Sequence, residues 1–208
     1  NPARLKMQFK HTYKHFVMVK LIIIICVGLS SACALTKLTR GGYEEAQHQV
    51  LIKENSIELR RYSELQMVVT DMSDNQDSGF MRLFRYIDSG NNKKQKIAMT
   101  TPVFTSRRDG KSTMAFVLPA DVKPIDVPEP NQNTVRRTTL PAGMYAVYRY
   151  SGRHRTSPPQ IKSQLRKWIE ENNLLEKGNP TEAFYDPPWM PGIFRRNELL
   201  IPVTQSEK

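Results

Sequence analysis

Asp77-Ser78-Gly79-Phe80-Met81-Arg82-Leu83-Phe84-Arg85-Tyr86-Ile87-Asp88-Ser89-Gly90 reads as an amphipathic helix set between strands, and that reading decides the fold. At about 100° per residue, Phe80, Leu83, Phe84 and Ile87 fall in one narrow stripe. Met81, Arg85 and Asp88 lie along its shoulder, with Arg82 and Tyr86 on the far side. Asp77 or Ser78 offers a side-chain oxygen to the first free N–H groups. Gly90 and Asn91-Asn92 stop the helix.

Upstream, Val50-Leu51-Ile52, Ile57–Tyr62 and Met67–Thr70 read as strands. In the second, Ile57, Leu59 and Arg61 share one face and Glu58, Arg60 and Tyr62 the other. Downstream, Lys96–Phe104 and Ser112–Leu118 form a hairpin around Asp109-Gly110. A proline-rich crossover from Pro119 to Pro130 follows. The order then recurs. Val135–Leu140 and Met144–Tyr150 are strands around Pro141-Ala142-Gly143. Ser157-Pro158-Pro159-Gln160 opens a second helix, with Ser157 as N-cap, Gln160 completing a capping box, and Ile161, Leu165, Trp168 and Ile169 buried. Glu182–Tyr185 and Glu198–Val203 supply the last strands. Strand–strand–helix–strand–strand thus occurs twice, which predicts an α+β domain: an antiparallel sheet with two helices on one face.

The chain has 208 residues, 39% of them hydrophobic and 25% charged, which suits one globular domain plus a leader. Of the net charge of +11, five units belong to residues 1–33, which hold no acid, so the remainder carries +6. That excess favours anionic small ligands, phospholipid headgroups or nucleic acid, without choosing between them. The pairs Arg60-Arg61, Arg107-Arg108, Arg136-Arg137 and Arg195-Arg196 are scattered and read as solvated strand ends and turns, not as a nucleic-acid reader. The two cysteines, Cys26 and Cys33, both precede the domain, so the body holds no disulfide and no thiolate metal site. It also shows no nucleophile–base motif, phosphate loop or dinucleotide fingerprint, which predicts a binding protein and not an enzyme.

Residues 1–33 read as an export leader: Lys10, Lys14 and Lys20 precede the short apolar run Leu21–Leu29, and small residues follow. The run is too short to span a bilayer as a helix. With Asn at position 1, Met7 and Met18 are candidate start residues. Ser30-Ser31-Ala32-Cys33 resembles a bacterial lipobox, which makes Cys33 the lipidation site of an envelope lipoprotein facing the periplasm from the outer membrane. Ala32-Cys33-Ala34 also fits ordinary signal cleavage, which would leave a soluble periplasmic or secreted protein. Residues 34–42 form a tether, 43–203 the domain and 204–208 a tail.

Three motifs, in order, carry a family resemblance: Lys96-Ile97-Ala98-Met99-Thr100-Thr101-Pro102-Val103, Met114-Ala115-Phe116-Val117-Leu118-Pro119, and Tyr185-Asp186-Pro187-Pro188-Trp189 with Pro191 and Arg195-Arg196-Asn197-Glu198. The chain resembles the SOUL haem-binding family across roughly Tyr43–Val203. The resemblance implies two βαββ-like halves forming an antiparallel sheet or distorted barrel, similar to bacterial effector-binding domains. It also implies non-covalent binding of haem or another tetrapyrrole. The C-terminal motif has a structural reading of its own, in which Asp186 braces a turn and Arg195 or Arg196 pairs with Glu198 or Asp186.

The resemblance places the ligand groove at the first helix. Phe80, Met81, Phe84 and Met99 would wall the macrocycle, and Arg82 and Arg85 would meet its propionates. Any axial ligand stays open, since His48 and His154, the histidines of the domain, stand away from that helix. A module for a different hydrophobic or cationic ligand is the alternative, and no protein partner is implied.

Overall fold

The computed structural model describes residues 42–72, 76–153, 156–187 and 189–206, with the side chains of 76–78 left out. The leader, Cys33, the tether up to residue 41, the Asp77 and Ser78 cap, His154 and Pro188 lie outside what is described. A compact unit begins at Tyr43.

Strands β1 (Glu44–Glu45), β2 (Gln49–Glu54), β3 (Ile57–Tyr62) and β4 (Leu65–Met72) precede helix α1 (Gln76–Ile87). Then come β5 (Thr100–Thr101), β6 (Val103–Arg108), β7 (Lys111–Val117), β8 (Val135–Leu140) and β9 (Gly143–Ser151). Helix α2 (Pro159–Glu171) is followed by β10 (Leu174–Glu176), β11 (Thr181–Phe184) and β12 (Arg196–Gln205). Ten strands make one sheet in the order β2-β3-β9-β12-β11-β6-β7-β4-β8, with β10 also on β12, and all its pairings are antiparallel. The short β1 pairs β5 in parallel.

The order has a twofold pattern about the β6–β11 pair. Each half is a βαββ unit: β4-α1-β6-β7 and β9-α2-β11-β12. The strand before each unit crosses to the other half, so β3 pairs β9 and β8 pairs β4. Yet only Ser63-Glu64 joins β3 to β4, and only Pro141-Ala142 joins β8 to β9. Such links span about 10 Å at most. The sheet therefore curls until its flanks meet at these two links. It does not close, because no ladder joins β2 to β8 among the described residues.

Period-two alternation sorts the core. Val68, Met114 and Phe116 face α1, and Leu59, Ala146, Leu199 and Ile201 face α2. Met67, Phe104, Ala115, Tyr145 and Leu200 line the opposite, concave face. Both helices thus cover one face, as the pattern predicts.

Three local expectations change. In α1 the buried side is Leu83, Tyr86 and Ile87, while Phe80 and Phe84 are exposed. Tyr86 turns inward because its hydroxyl donates to the Pro128 carbonyl at 2.8 Å, beneath the crossover. Ser157 does not cap α2, whose N-cap is Pro158 without a side-chain bond. The Ser157 hydroxyl and N–H instead donate to Glu182 at 2.7 and 2.8 Å, beside the Tyr150 hydroxyl at 2.9 Å. Finally, β12 runs on to Gln205, into the expected tail, because Leu174 of β10 pairs with it there.

Candidate ligand surface

Helix α1 carries five of the six groove residues inferred from sequence. Phe80, Met81 and Phe84 remain 36%, 44% and 40% exposed. The Phe80 and Phe84 rings lie nearly parallel, 14° apart with centroids at 6.2 Å, and Phe80 stands edge-on against buried Phe116 at 5.2 Å. One turn of helix thereby presents an exposed apolar platform rooted in the core. Arg85, one turn after Met81, is exposed on the shoulder of that platform.

Arg82 and Met99 have structural employment. The Arg82 guanidinium donates to Thr70 Oγ1 at 2.9 Å and to the Asp71 carbonyl, tying α1 to β4. The Asp71 carboxylate is engaged by Arg136 at 2.8 and 3.3 Å, which holds it below its ordinary pKa. Met99 is half-buried in the cluster that α1 covers. The apolar platform plus Arg85 is therefore the part of the inferred set that faces solvent together.

The concave face holds two further features, the first not isolated from sequence and the second only in its Arg196–Glu198 part. One is a cleft of about 770 Å³. Met67, Val69, Phe104, Ala115 and Leu140 supply apolar lining, Ser106, Thr113, Thr138 and Thr181 supply hydroxyls, and Arg108 and Lys177 supply charge, with no acid among the lining residues. These are inward positions of alternating strands, so periodicity marks them, but only the curl of the sheet makes them a cleft.

The other is a buried charge network. Arg60 donates to both Glu198 carboxylate oxygens, at 2.7 and 3.0 Å. The Tyr185 hydroxyl donates to Glu198 at 2.7 Å, and Arg196 Nε donates to the other Glu198 oxygen at 3.0 Å. Burial pushes the Glu198 carboxyl up, but hydrogen bonds and charge from Arg60, with Arg196, hold it below the usual carboxylate range. Arg196 lies 3.7 Å above the Tyr185 ring and reaches Glu45 at 2.6 and 3.1 Å. Asp186 accepts the Arg196 backbone N–H at 2.6 Å, the turn brace expected of it. Arg60 thus corrects the reading of the arginine pairs as solvated, while Arg196 on Glu198 is the pairing expected of the C-terminal motif; both are cations of a fold whose concave face carries an acid. A lone Glu198 in the apolar run Leu199-Leu200-Ile201 was the available signal.

His48 packs on Tyr62, ring centroids 5.2 Å apart, and its Nδ1 lies 3.2 Å from the Ala46 carbonyl. It belongs with the concave-face cluster and not with α1. Among the described residues, no group of three or more His, Cys, Asp or Glu side chains is placed to hold a metal ion, and no helix is long and apolar enough to cross a membrane.

Comparison with known proteins agrees with this architecture. The chain matches the family described as SOUL heme-binding protein over residues 43–202. No curated protein matches it. Among solved structures, it is similar to the EcmrR C-terminal domain at 16% identity and TM-score 0.55, covering 76% of this chain and 98% of that one. An uncharacterized conserved protein from Listeria innocua aligns at 12% identity and TM-score 0.56, over 73% and 93% of the two chains. A hydrolase from the same organism aligns at 12% and 0.55, over 74% and 94%. At such identities these likenesses concern the fold alone.

Proposed function

The chain belongs to the SOUL heme-binding family, and from that premise we propose that it binds haem or a related tetrapyrrole non-covalently on the outer face of α1. The observation that carries the reading is the exposed, near-parallel Phe80–Phe84 pair with Met81 beside it. A macrocycle needs exposed apolar surface, and an aromatic pair rooted on Phe116 supports that reading. Exposed Arg85 would meet a propionate, and on this reading the porphyrin is held without a histidine on the helix. When bound, haem would supply its own redox-active iron, and these residues would only hold and orient the ring.

Titration with haemin tests the reading. A Soret shift that saturates at micromolar haemin is expected, and a folded protein that leaves the haemin spectrum unchanged would overturn it. The family it matches is described by binding and not by a reaction, and we read this chain as a binding protein on that ground. Its place is the bacterial envelope as a lipoprotein anchored through Cys33, serving haem buffering, transfer or sensing. Metabolic labelling with a fatty acid, lost in Cys33→Ser, checks the anchor.

The concave cleft favours a second reading, a different small ligand with no haem role. Its size lies within the range of small-molecule sites. Arg108 and Lys177 in the lining, and a Glu198 already paired with Arg60, suit an apolar or anionic occupant better than a cation. Native mass spectrometry of protein from its own host, retaining a non-porphyrin mass that Ser106→Trp abolishes, would favour this reading.

A further inference from the structure

The turn Trp189-Met190-Pro191-Gly192-Ile193-Phe194 holds three large apolar side chains in water: Trp189, Ile193 and Phe194 are 74%, 76% and 58% exposed. It is not a loose excursion. Met190 is buried and its N–H donates to the Pro187 carbonyl at 3.0 Å. Phe194 N–H donates to Pro191 at 2.9 Å, Arg195 N–H to Gly192 at 3.0 Å, and Arg195 Nε to Met190 at 2.8 Å. Gly192 approaches the Arg153 side chain so closely that a Cβ there would collide with it. A braced turn that keeps three such groups in water presents a surface built to be covered.

Its surroundings say by what. Arg153 packs its side chain on Gly192 and Arg195 closes the turn, while the acids beside it, Asp186 and Glu45, are both engaged by Arg196. Indole, phenyl and branched aliphatic groups ringed by guanidinium suit the boundary between acyl chains and anionic headgroups. The first strand of the domain lies against the residue that follows this turn, because Arg196 is locked to Glu45, two residues after Tyr43. On the lipid-anchor reading above, which this last point alone rests on, Cys33 stands ten residues before Tyr43, within about 35 Å at full extension.

We infer that the Trp189–Phe194 turn is a membrane-surface contact, in which Trp189, Ile193 and Phe194 enter an anionic phospholipid bilayer while Arg153 and Arg195 meet its phosphates. The chain has two tryptophans, and Trp168 is buried against α2's side of the sheet, so Trp189 is a built-in probe. The full chain is mixed with vesicles of phosphatidylcholine and phosphatidylglycerol whose acyl chains carry bromine. Emission should be quenched in the wild type and unquenched in Trp189→Phe. Quenching should weaken in pure phosphatidylcholine and in high salt. Ile193→Ser and Phe194→Ser should each raise the lipid concentration for half-quenching about tenfold, with Trp168 emission reporting the intact fold. Cys33→Ser should keep the quenching. Vesicles that carry the chain yet leave Trp189 unquenched would overturn the inference while sparing the anchor. Concentration-dependent shielding of Trp189 without lipid would overturn it in favour of a second copy.

Discussion

Arg60 and Glu198, 138 residues apart in sequence, form a two-pronged ion pair inside the domain, with nitrogen–oxygen distances of 2.7 and 3.0 Å. Both side chains are almost entirely withdrawn from water. The pair links β3 to β12 across β9, and Tyr185 completes it from the C-terminal motif. Removing one member leaves the other charged and buried. Glu198→Ala should therefore destabilise the fold by about 3–5 kcal/mol, read from urea unfolding. Arg60→Met with Glu198→Leu should recover most of that loss, because no charge is then left unpaired. A Glu198→Ala protein as stable as wild type would contradict the network's role.

The same network sets the acid limb of stability. Glu198 and Glu58 are both held below their ordinary values, against the upward push of burial, chiefly by Arg60 and, for Glu58, Lys53. A carboxylate with a depressed folded pKa adds stability above its unfolded value of about 4.3 and loses it as pH falls through the folded value. Unfolding midpoints should be flat from neutrality to about pH 5 and fall below that. Glu198→Gln should start lower and fall less steeply. At the alkaline end, burial pushes Tyr86 and Tyr145 up to about 12, so their contribution is complete below about pH 10 and is lost as pH rises through 12.

Phe80→Ser with Phe84→Ser should weaken haemin binding by about tenfold or more, since each stacked ring contributes about 0.5–1.5 kcal/mol. Arg85→Gln should weaken it less, and more visibly at low salt. Ser106→Trp, which fills the concave cleft, should leave the Soret titration unchanged. The reverse pattern would move the tetrapyrrole to the cleft.

Gly90 closes α1 with its N–H on the Arg85 carbonyl at 2.8 Å. A Cβ at this position would collide with that same carbonyl. Gly90→Ala should thus cost about 1–3 kcal/mol by thermal unfolding, although alanine is ordinarily the better helix residue.

Much of this was legible because local periodicity is a local property. The alternation in Met67-Val68-Val69 and Met114-Ala115-Phe116-Val117 marks two buried faces, and the Asp109-Gly110 turn marks a hairpin, with positive φ at both residues. Where expectation failed, a distant partner outweighed a local preference. Ser157 found Glu182 in place of a helix N-terminus, and Tyr86 found Pro128 in place of water. The second exchange rolls α1 and leaves Phe80 and Phe84 outside, which is what makes the helix a candidate ligand surface.

The sequence by itself determined the family, the two βαββ halves and the helix on which the inferred groove residues stand, because spacing, turn residues and motifs are written along the chain. Only the tertiary structure decided that β3 and β8 exchange halves, that the sheet curls into a cleft, and that Arg60 pays for the burial of Glu198. Strand partners and buried ion pairs depend on which distant segments meet, and no local pattern carries that information.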